Sequence, residues 1–128
     1  MTKSIALCGV QDEIAHALER HGGYKILPFG DEPERRGDVK LGYFLRDGSL
    51  VELAVVGYPG AKGLAACDYL RTQNCELPIL WLCDRQEFEP EAKRLGIGFC
   101  GTGPPNTEQT IQGILKTINM RGSEGGTK

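Results

Sequence analysis

Two rhythms of apolar residues alternate along this chain, and their alternation predicts its architecture. Ser4 to Cys8 is a short apolar run without polar interruption, as a strand buried on both faces requires, and it stops at Gly9. From Asp12 to His21 the spacing changes: Ile14, Ala15, Ala17 and Leu18 recur as on one face of a helix, and Gly22-Gly23 supplies the stop. Tyr24 to Phe29 reads as a second strand, and Pro28, which cannot donate to a ladder, places it at a sheet edge. Leu50 to Val56 is a central strand, broken by Gly57-Tyr58-Pro59-Gly60. A helix from about Gly63 to Thr72 follows, with Leu64, Cys67 and Leu70 as its apolar stripe. Pro78 to Cys83 and Ile97 to Cys100 are the fourth and fifth strands, separated by a helix that opens near Pro90 and stops at Gly96. The last helix opens at Asn106 or Thr107, with Glu108 or Gln109 placed to assist the cap, and buries Ile111, Ile114, Leu115 and Ile118.

Residues 30–48 fit two descriptions. Pro33, Gly37, Gly42 and Gly48 interrupt a charged segment that has only Val39, Leu41, Tyr43, Phe44 and Leu45 to bury. One description is a degraded helix; the other is a hairpin in which Leu41 to Leu45 pairs with the next strand across Arg46-Asp47-Gly48, because Asp-Gly between apolar runs is a turn signal. The polar, Gly-containing tail from Arg121 to Lys128 is expected to be a disordered terminus or linker, leaving residues 1–120 as one domain. Five short buried strands alternating with helices specify an α/β fold: a parallel sheet covered on both faces by right-handed crossovers. The best match is the flavodoxin-like three-layer sandwich with strand order 2-1-3-4-5, whose loops after strands one, three, four and five gather at the carboxyl edge where ligands bind.

Composition narrows the function classes. At 128 residues the chain suits one core, and 40% hydrophobic with 25% charged residues is the balance of a soluble globular protein. A net charge of −2 without a clustered basic patch argues against direct nucleic-acid binding. No apolar run reaches the length of a membrane span and no signal-peptide pattern opens the chain, so a cytoplasmic protein without membrane contact is expected. The five cysteines, Cys8, Cys67, Cys75, Cys83 and Cys100, are odd in number and lack paired CxxC spacing, which points to reduced thiols that serve mainly as small apolar packers.

The segment Leu53-Ala54-Val55-Val56-Gly57-Tyr58-Pro59-Gly60-Ala61-Lys62-Gly63-Leu64 resembles the third strand and following Pro-Gly loop of the receiver domain of two-component response regulators. Leu77 to Cys83 is similar to that family's fourth strand, and Leu95 to Cys100 with Pro104 to its fifth strand and proline turn; the resemblance runs from Ser4 to about Met120. A receiver of that kind uses acidic residues after strand one to hold magnesium, an aspartate after strand three to take a phosphoryl group, a Ser or Thr after strand four and a lysine after strand five. Magnesium and lysine neutralise the oxygens of the phosphoryl group while the carboxylate attacks. Here the matching positions hold Gly9 and Val10, Gly57, Cys83 and Gly103. Shifting the first loop brings Asp12 or Glu13 nearer, but Glu52 stands at the wrong end of strand three to supply the acceptor. The resemblance therefore implies a pseudo-receiver without catalytic residues, metal or cofactor.

Other candidates have ordinary explanations. Gly101-Thr102-Gly103, with Asn106 beyond, could cradle an anion at a helix start, but it lacks the full dinucleotide fingerprint. Cys83 and Cys100 end neighbouring strands, which leaves either a thiol pair or plain packing. His16 and His21 lie on the first helix as surface or half-buried residues, and Trp81 is expected in the core. The charged runs Asp31 to Asp38 and Asp84 to Glu87 read as solvated surface. The expected function is a non-phosphorylatable regulatory or protein-interaction module of a signalling or transcription-control protein. By resemblance, its partner, output domain or second copy would dock on helix 4, strand 5 and helix 5. The alternative is a small flavodoxin-like protein binding a nucleotide or other anionic ligand at the carboxyl edge.

Overall fold

The computed structural model describes residues 3–48, 51–58, 60–83, 85–100 and 107–127. Strands β1 (Lys3–Cys8), β2 (Tyr24–Phe29), β3 (Leu53–Val56), β4 (Ile79–Leu82) and β5 (Gly98–Cys100) alternate with helices α1 (Asp12–His21), α2 (Gly37–Arg46), α3 (Gly60–Gln73), α4 (Glu89–Leu95) and α5 (Thr107–Thr127). The strands form one parallel sheet in the order β2-β1-β3-β4-β5. This is the flavodoxin-like arrangement expected from the sequence.

Strand periodicity divides the core into two layers. Ala6, Cys8, Ala54, Val56, Ile79 and Trp81 point to one face, where Leu41 of α2, Cys67 and Leu70 of α3 and Ala92 of α4 cover them. Ile5, Leu7, Leu53, Val55 and Leu80 point to the other, against Ile14 and Leu18 of α1 and Ile111, Ile114, Leu115 and Ile118 of α5. Every residue of β3 is buried, which is why its sequence shows no polar alternation. Trp81 is fully buried and meets Phe88 and Phe99 edge-on, at centroid distances of 5.6 and 5.8 Å. Pro28 sits in edge strand β2, opposite Leu7, where its missing N–H also blunts an exposed ladder.

Residues 37–46 are helical, so the hairpin description of Leu41 to Leu45 is overturned. The burial of Gly37, Asp38, Leu41 and Gly42 follows helical spacing, and Asp47-Gly48 ends the helix instead of turning a hairpin, with Gly48 at φ +85°. A positive-φ glycine serves a helix stop and a hairpin turn equally well, so the dipeptide alone did not distinguish them. At the carboxyl end, α5 runs as far as Thr127. The expected cap at Asn106 lies outside the described residues. Among the described residues no helix is long and apolar enough to cross a membrane.

Replacing Ile114 with Ala, which empties fully buried volume between α5 and the sheet, is expected to lower unfolding free energy by about 2–5 kcal/mol. Exposed Gln112→Ala should change it by less than about 0.5 kcal/mol. Chemical denaturation of the two variants checks the assignment of the α5 core face, and equal effects would refute it.

Candidate functional site at the carboxyl edge

The tips of β1 and β3 lie side by side, and the Gly57 amide donates to the Cys8 carbonyl at 2.8 Å. Gly9 turns the chain at φ +68°, and a Cβ there would stand 2.5 Å from the Tyr58 ring. A Cβ on Gly57 would lie 2.7 Å from the Gly9 carbonyl oxygen. Both positions therefore need glycine, one for its backbone conformation and close neighbour, the other for close approach of two strands. Gly9, Val10 and Gly57 lie together, while Cys83 directly follows β4 with its side chain buried.

The space above these glycines is filled by Tyr58, which is only 4% exposed. Its hydroxyl donates to Asp31 and accepts from the Gly37 amide at 3.1 Å. The same Gly37 amide donates to Asp31 at 2.8 Å, so the loop after β2 and the first turn of α2 close on the phenol. Its backbone carbonyl accepts from the Trp81 indole at 3.0 Å, anchoring the turn to β4. Lys62 Nζ lies 4.9 Å and the Arg36 guanidinium 5.8 Å from the ring centroid, within reach of cation–π attraction. Lys62 also stands 4.0 Å from Asp31, at the limit of an ion pair.

The charged run from Asp31 to Asp38 is thus not a uniformly solvated surface. Asp31 is 42% exposed, but Asp38 is completely buried, one oxygen accepting from Arg36 at 2.8 Å while Oδ1 has no hydrogen-bond partner. A buried carboxylate oxygen of this kind opposes folding. Sequence reasoning passed over Asp38 because it stands in a charged stretch. Its spacing of three and four residues before Leu41 and Gly42, on the buried face of α2, was the available signal.

Electrostatics follow from this packing. Burial pushes the Tyr58 phenol above its ordinary pKa, reinforced by the bond to Asp31 and its charge. For Asp31 desolvation acts upward, but the Tyr58 hydroxyl, the Gly37 amide, Lys62 and Arg36 together outweigh it and hold the carboxyl below its ordinary value. Burial raises the Cys8 thiol, with the Asp38 charge adding to it, and pushes Cys67 up to about 12. Both are inert thiols packed in the core. Cys83 and Cys100 do not form a thiol pair: Cys100 pairs in register with Leu82, and the two cysteine side chains belong to opposite core layers.

Beside Tyr58 a cavity of ≈ 160 Å³ opens between the tips of β1 and β2, walled by Leu7, Val10, Ala15, Pro28 and Phe29 with Asp12 and Asp31 at its polar side. His16 and His21 are exposed on α1, far from chemistry of this kind, and His21 lies against Tyr24. Among the described residues no cluster of three His, Cys, Asp or Glu side chains could hold a metal ion. Gly9 and Val10 bring no carboxylate to the loop after β1, and the nearest acids on that side are Asp12 and Asp31. Gly101, Thr102, Gly103, Asn106 and Asp84 lie outside the described residues; Arg85, Gln86 and Glu87 are exposed, as expected.

No protein-family model and no curated protein matches this sequence. Solved structures do. A response regulator receiver protein from Sinorhizobium medicae superposes with a TM-score of 0.65 at 15% identity, over 94% of this chain and 97% of that one. The fold is that of a receiver domain. Chemotaxis protein CheY4 of Vibrio cholerae gives 0.64 at 20% identity, over 91% of this chain and 98% of its own. A Burkholderia pseudomallei protein described as pilus assembly-related gives 0.64 at 12% identity, over 93% and 90%. Identities this low establish the receiver-like fold and leave the chemistry of the carboxyl edge to its own residues.

Tyr58→Phe removes one hydroxyl and should lower stability by about 1.5–3 kcal/mol, the range for a hydrogen bond to a charged group. In the folded protein Asp31 stays ionised below its unfolded pKa of about 4, so its contribution is complete above that value and is lost as pH falls through the lower folded value. Tyr58→Phe should therefore raise the Asp31 pKa in an NMR pH titration. An unchanged value would show that the hydroxyl does not hold the carboxylate.

Proposed function

We propose that this receiver-like domain is a regulatory module that acts through protein contacts, is not an enzyme and takes no phosphoryl group at the carboxyl edge. The observation that carries this reading is the tip of β3, where Gly57 brings no carboxylate, a side chain at that position would meet the Gly9 backbone, and the buried Tyr58 ring packs over Gly9. Phosphoryl transfer depends on a positioned nucleophile with its charge-neutralising partners, and at the tip of β3 Gly57 supplies no nucleophile, while the Asp31 carboxylate nearby is engaged by the Tyr58 hydroxyl and the Gly37 amide. The response-regulator and chemotaxis proteins that share its fold support a place in signalling. None of the five cysteines is in a disulfide, which suits a reducing, cytoplasmic setting.

The alternative, an anionic ligand at the carboxyl edge, gains nothing from the cavity beside Tyr58, whose polar side is two carboxylates. A partner or second copy on α4, β5 and α5 is the expectation from resemblance. Among the described residues that face carries no large hydrophobic side chain exposed to solvent.

Incubation with acetyl phosphate and magnesium should leave the intact mass of the protein unchanged, and a gain of one phosphoryl group would overturn the reading. Gly57→Asp should not create an acceptor, because the new side chain collides with the Gly9 backbone. The variant should instead melt at lower temperature, and phosphorylation of it without loss of stability would show that the space above β3 is open.

A further inference from the structure

Tyr43 is the one large hydrophobic residue exposed among the described residues, 46% accessible on the outer surface of α2. Two guanidiniums flank its ring, Arg35 at 5.0 Å and Arg46 at 5.2 Å from the centroid. Among the described residues neither has a carboxylate partner within ion-pair distance: Arg46 donates to the Gln73 side chain at 2.7 Å, Glu32, which shares a turn with Arg35, is taken by Lys40 at 2.7 Å, and the exposed Glu34 beside Arg35 makes no ion pair with it. The neighbouring Arg36 is already spent on Asp38. What remains is an accessible aromatic ring between two cationic forks with open donors.

Arginine forks match carboxylates in geometry as well as charge, and exposed tyrosine with arginine is the composition of binding hot spots. We propose that the Arg35, Tyr43 and Arg46 surface is where this module docks an acidic segment of a partner protein. The inference rests on the reading of the domain as a contact module and names its surface and the chemistry of its partner. It moves the contact away from α4, β5 and α5, where no comparable residue is exposed among those described. The surface is also tied to the carboxyl edge. Arg35 closes a turn with Glu32 through paired backbone hydrogen bonds of 2.8 and 3.1 Å, and that turn directly follows Asp31, which Tyr58 holds. The overall charge of −2 repels a polyanion, so attraction to one has to come from this local arrangement.

Fluorescence anisotropy with a labelled octa-glutamate peptide tests the proposal, with octa-lysine as control. Saturable, salt-weakened binding of octa-glutamate is expected, reduced at least tenfold in Arg35→Ala/Arg46→Ala and also weakened in Tyr43→Ala, with Lys93→Ala/Arg94→Ala on α4 unaffected. All these side chains are exposed, and thermal melting of each variant verifies that it is folded. Absence of saturable binding, or equal loss in the α2 and α4 variants, overturns the docking surface. Phosphoryl uptake in the acetyl phosphate experiment overturns the contact-module reading instead, so the two failures are separate.

Discussion

Two neighbouring strand tips cannot both carry side chains and also admit a tyrosine between them. In this protein the tyrosine wins. Gly9 and Gly57 give up their Cβ atoms so that β1 and β3 approach closely and the Tyr58 ring folds back over Gly9. Everything else at the carboxyl edge is arranged around that ring: its hydroxyl organises Asp31 and the start of α2, its carbonyl holds the Trp81 indole, and two cations lie near its π system. A buried phenol hydrogen-bonded to a carboxylate that also accepts from the Gly37 amide ties the loop after β2 to the start of α2.

This arrangement changes the meaning of the missing receiver residues. From the sequence, the loss of an acid at Gly57 implied an empty site. The structure places Tyr58, the residue immediately after Gly57, at the centre of contacts that link β1, β3, β4 and α2. The fold common to this chain and the receivers at 15–20% identity therefore coexists with a different construction at its functional edge.

Much of the architecture was legible because strands buried on both faces must be continuously apolar and helices packed on a sheet must carry an apolar stripe. Ile5 to Cys8, Leu53 to Val56 and the isoleucines of α5 announced themselves in this way. The α2 region was not legible: its buried face is made of Gly37, Asp38, Leu41 and Gly42, two of them glycines and one charged, so hydrophobic periodicity had little to report. Cys83 and Cys100 were placed correctly at adjacent strand ends, yet only the register revealed that their side chains lie on opposite faces.

By itself, then, the order of amino acids determined the class of fold, the strand sequence, the position of the Pro28 strand at an edge and the absence of an acid at residue 57, because these depend on local periodicity, proline geometry and residue identity. Tertiary structure alone decided that Tyr58 turns inward, that Asp31 and Gly37 meet its hydroxyl from 27 and 21 residues away, and that Asp38 is buried while Tyr43 is not. Those outcomes are set by which faces the packed elements present to one another. Contacts between distant segments form only when the whole sheet and its helices are assembled, and no local pattern encodes them.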